Sequence, residues 1–129
     1  MTVKLKMDTP AFAAYKAKID ARRTQVISHE EAHKAGAGPQ ASGSPVYDVR
    51  KDKFGNEVYF GGHQGISVPS PVNSDMPLAL IEKTKVAAKY VIKGAEAPAD
   101  ELSEADKRIA FSGREILNGA ERAKTEKAS

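Results

Sequence analysis

The stretch Ser28-His29-Glu30-Glu31-Ala32-His33 contains two histidines four residues apart, with a glutamate directly after the first. In an α-helix, residues at this spacing project from adjacent turns of one face, so both imidazoles point toward the same place. An imidazole pair of this kind binds zinc, which lowers the pKa of a bound water toward about 7. Glu30 can then take the proton of that water as a general base. The stretch therefore predicts a hydrolytic zinc site on a helix.

The residues before the motif predict that this helix is long and that the histidines lie on its buried stripe. Thr9 and Pro10 form a plausible cap and first turn, and the segment Gly36-Ala37-Gly38-Pro39 provides a stop, so the helix should run from about Pro10 to about Lys34. The apolar residues that share the helical spacing of the motif are Phe12, Tyr15, Ile19, Val26 and Ala37. The alternative, a polar motif on a solvated face, would place the histidines opposite this stripe.

The next part of the chain has the alternation and the turn residues of a β-hairpin. Val46 to Val49 and Val58 to Phe60 flank a turn at Gly55-Asn56. The pair Gly61-Gly62 should mark a bulge or a close approach of two backbones. Ile66-Ser67-Val68 resembles a further short strand.

Two more helices are expected after the sheet. One should run from about Pro77 to Lys93, with Gly94 as its terminator. The other should begin at Ser103, with Asp106 at the third helical position in a near capping box. The tail after Arg122 should fray.

A third ligand is needed, because catalytic zinc sites take three protein ligands and keep one position for water. His63 is the natural candidate, since it is the only other histidine, and the rivals are Glu57, Asp48 and Asp106. For Asp106 we favour a simple helix-start role over that of an acceptor for a ligand imidazole. Tyr47 is a candidate donor to a developing oxyanion, although an aromatic residue in a strand more often serves packing.

Composition limits the remaining possibilities. The chain has 129 residues, 40% hydrophobic and 29% charged, with a net charge of +3, which indicates one globular domain spanning 1–129 with residues 1–8 and 123–129 frayed. It has no cysteine, so any transition metal must be bound by His, Asp or Glu. The pI of about 9.1 is weak evidence for a polyanion, and no nucleic-acid partner is expected. No signal peptide or membrane span is evident, so the default location is the cytoplasm.

Beyond the histidine motif, the sequence resembles the SprA-related family, a group of bacterial proteins assigned as zinc metallopeptidases. The resemblance extends from about Lys18 to Ala110. The segments that carry it, in order, are Gly36-Ala37-Gly38, Gly43-Ser44-Pro45-Val46-Tyr47, Asp52-Lys53-Phe54-Gly55, Tyr59-Phe60-Gly61-Gly62, Ala97-Pro98 and Ser103-Glu104-Ala105-Asp106-Lys107-Arg108. Where the family usually has a glutamate after the paired glycines, this chain has His63, which can also bind zinc.

Together these features predict an α+β, zincin-like fold: a long N-terminal helix with the motif, a small antiparallel sheet and two C-terminal helices. The expected function is hydrolysis of peptide bonds in a peptide or protein substrate, with Zn²⁺ as the cofactor. The alternative is a binding or regulatory module in which the metal is structural or the motif is vestigial. Hydrolysis of a cell-wall peptide amide is a third possibility, because the same chemistry serves it. The sequence leaves the oligomeric state open.

Overall fold

A computed structural model describes residues 9–129, and within them the architecture is α+β, as the sequence predicts. Three helices and one antiparallel sheet of two strands are present in this part of the chain. In chain order they are α1 (Pro10–Ala37), β1 (Ala41–Lys51), β2 (Glu57–Ile66), α2 (Leu78–Glu96) and α3 (Glu104–Ala128), with a short 3-10 turn at Gly38–Gln40 between α1 and β1. The predicted fraying of residues 1–8 falls outside the described residues.

Helix α1 begins where the sequence predicts. The Thr9 side chain accepts a hydrogen bond from the Phe12 backbone N–H at 3.1 Å, which satisfies one of the free donors of the first turn. The buried positions of the helix include Ile19, Val26 and His33, so the predicted apolar stripe is the face that packs inward.

The hairpin lies along α1, and its tip is attached to the start of that helix. Asp52 organises the turn by accepting hydrogen bonds from the backbone N–H groups of Phe54 and Asn56, both at 2.9 Å. Its other oxygen accepts a hydrogen bond from the Tyr15 hydroxyl at 2.8 Å. The rings of Phe12 and Phe54 pack edge to face, with centroids 5.1 Å apart. These contacts fix the direction in which β2 runs across the helix.

Strand β2 contains a bulge at the position that the glycine pair indicates. Asp48 pairs with Gly61 and Val49 with Tyr59, so Phe60 is an extra residue with no partner in β1. The prediction of a bulge near Gly61-Gly62 is thereby confirmed.

The prediction of a further strand at residues 66–68 is wrong. Ile66 is the last residue of β2, where it pairs with the first residue of β1, Ala41. Since β1 extends no further, the backbone N–H of Ser67 donates instead to the carbonyl of Gln40 at 2.7 Å. The chain then leaves the sheet toward α2.

The predicted stop at Gly36-Ala37-Gly38-Pro39 is confirmed, since Gly38 caps the C-terminus of α1 with a φ of 51°. Two other glycines of the predicted stops, Gly36 and Gly94, lie inside helices instead. Helix α1 continues past Gly36 to Ala37, and α2 continues past Gly94 to Glu96. A Cβ atom on Gly94 would lie 2.5 Å from the Cβ of Ala37, and one on Gly36 would lie 2.8 Å from the Cβ of Ala97. Both glycines are therefore required by the close crossing of α1 and α2, and neither ends a helix.

Helix α3 packs mainly on α2, and small side chains fill the contact. The core between them includes Ile81, Ala120 and Ala123. The predicted fraying after Arg122 is not observed, because α3 continues to Ala128 and its Ala123 packs in the core with only 2% exposure. Among residues 9–129 no helix combines the length and the apolar content that a membrane crossing requires.

Candidate metal centre

The two histidines of the motif meet at the inner face of α1. The Nε2 atoms of His29 and His33 are 3.1 Å apart, and their rings are nearly perpendicular at 79°. The His33 side chain is only 3% exposed and the His29 side chain 16%. The predicted convergence of two imidazoles from adjacent turns is therefore present in the structure.

Each imidazole has a hydrogen-bond acceptor at its second ring nitrogen, Nδ1. His29 Nδ1 is 2.9 Å from an oxygen of Asp100, and His33 Nδ1 is 2.7 Å from the carbonyl oxygen of Gly94. An acceptor at Nδ1 keeps the proton on that nitrogen and leaves the Nε2 lone pair free, which is the arrangement found for metal-binding histidines. Gly94 lies in the last turn of α2, where its carbonyl oxygen also accepts a long hydrogen bond from the Ala97 backbone N–H at 3.4 Å. A carbonyl oxygen has two lone pairs, so it can accept from His33 as well.

The third group at this point is Asp106 rather than His63. An Asp106 carboxylate oxygen, Oδ2, is 3.2 Å from His33 Nε2 and 3.5 Å from His29 Nε2. Among residues 9–129, these three side chains form the group whose ligand atoms lie close enough to hold one ion. Asp106 is supplied by the first turn of α3, which the predicted capping box with Ser103 begins.

The spacing of these atoms fits a metal ion. Zinc bonds of about 2.0–2.1 Å in a tetrahedral arrangement put neighbouring ligand atoms about 3.3 Å apart, and the three distances here are 3.1, 3.2 and 3.5 Å. Two imidazole lone pairs and one carboxylate oxygen repel one another at such distances unless a metal ion or a shared proton lies between them. The donor set of two imidazoles and one carboxylate is shared by zinc and by non-haem iron sites, so these side chains could hold a transition metal but do not select which one.

The other predicted ligand candidates lie elsewhere. His63 is exposed on β2, next to Gly62, which is the residue that approaches Glu30. Asp48 forms an exposed ion pair with Arg50 at 3.0 Å. Glu57 is exposed at the start of β2, where it pairs with Lys51 at the far end of the hairpin.

Glu30 lies between the histidines along α1 and packs under β2. Its residue exposure is 6%, and a Cβ atom on Gly62 would be 3.2 Å from the Glu30 Cγ. Burial raises the pKa of the Glu30 carboxyl, an effect that the charges of His29 and His33 partly offset. A carboxylate with a raised pKa is better matched to proton transfer near neutral pH than an exposed one.

Tyr47 stands on the same side of the sheet as Glu30 but is not a wall of the cleft beside the histidines. Its ring covers Gly62, where an added Cβ would be 2.8 Å from Tyr47 Cδ1. The ring also lies against Tyr59, with centroids 5.7 Å apart. This arrangement agrees with the packing role, and the oxyanion role stays a prediction.

A cleft of about 280 Å³ opens beside His29 and Glu30. One wall is α1, the second is the glycine pair of β2, and the third is the linker between α2 and α3. The residues that line it are Arg22, Gln25, Val26, His29, Glu30, Gly61, Gly62, Asp100 and Glu101. On the linker side, the hydrogen bond with His29 lowers the pKa of the Asp100 carboxyl.

Two members of the site are absent from the sequence-based prediction. Asp100 lies in a short linker with no regular pattern, so nothing in the sequence marks it as a partner of His29. Gly94 contributes a backbone carbonyl, which every residue possesses, and it becomes available only through the close crossing of α1 and α2.

Comparison of the chain with protein-family models, with curated proteins and with solved structures finds no match. The resemblance to the SprA-related family accordingly stays an expectation from the sequence.

Proposed function

We propose that this protein is a zinc-dependent peptidase with a zincin-like arrangement of its motif helix and sheet. The observation that carries the proposal is the convergence of His29, His33 and Asp106 beside a buried Glu30 at the wall of an open cleft. Three protein ligands leave one position of a tetrahedral site for water, which is the pattern of catalytic zinc rather than structural zinc.

The roles of the residues follow from their positions. His29, His33 and Asp106 would hold the ion, which supplies Lewis acidity that lowers the pKa of a water and polarises a carbonyl. Asp100 and the Gly94 carbonyl orient the imidazoles. The Glu30 carboxylate accepts a proton from the attacking water and delivers it to the leaving amine, and its packing under Gly62 keeps it oriented for this transfer.

Zinc is favoured over iron by the position of Glu30. Both metals accept two imidazoles and a carboxylate, but iron oxygenase chemistry needs no general base beside the metal. A glutamate that shares a helix with both imidazoles and reaches the cleft serves hydrolysis directly.

The proposal is tested by metal content and peptide hydrolysis in three proteins. The wild-type protein should contain close to one zinc per chain and cleave a mixture of short peptides. Glu30→Gln should retain the metal and lose at least about 100-fold in rate, because only the proton acceptor is removed. His33→Ala should lose both metal and activity.

Undiminished hydrolysis by Glu30→Gln would eliminate Glu30 as the base. Stoichiometric zinc in a wild-type protein that cleaves no peptide would instead favour the alternative of a non-catalytic metal module. Stoichiometric iron after purification without added metal would overturn the zinc assignment.

A further inference from the structure

Arg22 stands at one end of the cleft whose other end is the metal centre. Arg22 and His29 are seven residues apart on α1, so both project to the same face, and both line the cleft. At 1.5 Å per residue, the two positions are about 10 Å apart along the helix. Asp100 marks the opposite end of the cleft, since it is bonded to His29 at 2.9 Å. The cleft is therefore positive at one end and negative at the other.

The guanidinium of Arg22, an exposed residue, is oriented by hydrogen bonds to two neutral acceptors. Its Nη1 donates to Gln25 Oε1 at 3.2 Å, and its Nη2 donates to the carbonyl oxygen of Phe60 at 3.1 Å. Phe60 is the bulged residue of β2, so its carbonyl is available to a group outside the sheet. The bulge thus positions both the Arg22 guanidinium and the Gly61-Gly62 pair.

The charge of Arg22 has no counter-ion within the described part of the chain. No carboxylate in residues 9–129 lies within ion-pair distance of this guanidinium. A guanidinium has five N–H donors, and the two hydrogen bonds leave about three of them available. An oriented and uncompensated guanidinium is a binding group for a carboxylate, which it can engage with two parallel hydrogen bonds.

We infer that Arg22 binds the C-terminal carboxylate of a short peptide substrate, so that the enzyme acts near the free C-terminus of its substrates. This inference rests on the proposed peptidase function. An extended peptide advances about 3.3 Å per residue, so about 10 Å corresponds to two or three residues between the scissile bond and the terminal carboxylate. A cleft of about 280 Å³ is at the lower limit of ligand pockets, which suits a short peptide end.

The second source of a carboxylate, an acidic side chain within a longer peptide, fits the cleft less well. Such a side chain belongs to a peptide that continues beyond the acidic residue, and a cleft of about 280 Å³ leaves little room for the added length. A terminal carboxylate ends the peptide at Arg22 and needs no further space.

The test is peptide binding measured by calorimetry, with hydrolysis as a separate readout. The probes are acetylated tetra-alanine with a free C-terminus, its C-terminal amide, and an acetylated, amidated tetrapeptide with one aspartate. Binding is measured on the zinc-loaded Glu30→Gln protein, which should not consume the probes. The free acid should bind about 10-fold more tightly than either amide, because only the free acid presents a terminal carboxylate to the Arg22 guanidinium.

The variant Arg22→Gln, made in the same background, should bind the free acid and the amide equally. Arg23→Gln is the matched control, because it removes the same charge one residue away, from a side chain that stacks on Tyr59 at 5.5 Å and does not line the cleft. The Arg23 variant should keep the preference for the free acid.

Equal binding of the acid and the amide to the zinc-loaded Glu30→Gln protein would overturn the inference, whatever the result for the Arg22 variant. Preference for the aspartate probe over the free acid would also overturn it and assign Arg22 to an acidic side chain. Hydrolysis that is insensitive to amidation would contradict the inference while leaving the peptidase proposal intact. Preferential binding of the acid without any hydrolysis by the wild-type protein would contradict the peptidase proposal alone.

Discussion

The Asp106 carboxylate performs two tasks with one oxygen. Its Oδ2 accepts a hydrogen bond from the Ser103 backbone N–H at 3.1 Å, which completes the capping box of α3, and the same atom faces both imidazoles. A negative charge at this place is stabilised by the N-terminus of the helix. The two roles that the sequence treats as alternatives for Asp106 are therefore compatible, because the capped turn is what aims the carboxylate.

At this scale we expect Asp106→Asn to weaken zinc affinity by at least about 100-fold, because the change removes the anionic ligand. His63→Ala should leave zinc affinity unchanged, since His63 is exposed on β2. Competition titration with a chromophoric chelator measures both. Ser103→Ala is the control for the helix cap, which it should weaken by about 1 kcal/mol without loss of metal.

A large loss of affinity in His63→Ala with little loss in Asp106→Asn would restore the ligand set that the sequence predicts. The sequence identifies His29, Glu30 and His33 because their spacing alone determines their common face. It does not decide the third ligand, since the choice depends on how α3 approaches α1, and both His63 and Asp106 have the required chemistry.

Among the elements, the crossing of α1 and α2 depends on the absence of side chains at two glycines. The close approach at Gly94 and Ala37 brings the Gly94 carbonyl within 2.7 Å of His33. From sequence, a glycine near the end of an apolar repeat is equally consistent with a helix stop and with a helix contact. The existence and order of the helices could be predicted, but this contact could not, because it depends on the partner helix.

We expect Gly94→Ala to destabilise the protein by about 1–3 kcal/mol, since the added Cβ would lie within 2.5–2.8 Å of Ala37 atoms. Gly119→Ala is a matched control on α3, where the nearest atom to the added Cβ is an Arg122 nitrogen at 3.9 Å. That substitution should stabilise the helix by about 0.5–1 kcal/mol. Urea unfolding measures the change in stability of both variants. Equal changes for Gly94→Ala and Gly119→Ala would show that α1 and α2 can move apart to accommodate the added Cβ.

The hairpin tip gives the fold an acid-sensitive element. Desolvation acts to raise the pKa of Asp52, but hydrogen bonds from the Tyr15 hydroxyl and from Asn56 outweigh it and lower the pKa to about 2. Because the folded-state pKa is below the ordinary value of 3.8, the carboxylate stabilises the fold above about pH 4. This contribution should disappear as the pH falls from about 4 to about 2.

We therefore expect the stability difference between wild type and Asp52→Asn to shrink across this pH window. Tyr15→Phe should move the acid transition to higher pH, because one of the hydrogen bonds that lower the Asp52 pKa is removed. Urea midpoints measured between pH 2 and pH 5 test this. Parallel curves for wild type and Asp52→Asn would contradict the assignment.

For the molecule as a whole, the proposed metal centre would be the principal link between its first and last helices. Helix α3 packs on α2, and α2 packs on α1, whereas direct contact between α1 and α3 is sparse. The core is modest, since Ile81 and Val91 are the large side chains in residues 9–129 that are fully buried. An ion held by His29, His33 and Asp106 would close a long loop of the chain. In theory, metal clips stabilise a fold most when the loop that they close is long.

We expect chelation of zinc to lower the melting temperature by about 10 °C. The estimate corresponds to about 2.7 kcal/mol at a free zinc concentration 100 times the Kd, for a domain of this size. Differential scanning calorimetry with and without chelator measures the shift. Asp106→Asn should melt at the same temperature under both conditions, and a wild type unaffected by chelator would contradict the linking role.

The wall formed by Gly62 has a consequence for inhibitor resistance. A side chain at this position would collide with the Tyr47 ring at 2.8 Å, the Val46 carbonyl at 2.9 Å and Glu30 at 3.2 Å. A compound that contacts the backbone here would be evaded most simply by a substitution that fills the space, yet such a substitution also displaces the Glu30 carboxylate that the proposed hydrolysis requires. An inhibitor designed against this segment would therefore face few escape mutations that preserve the proposed activity.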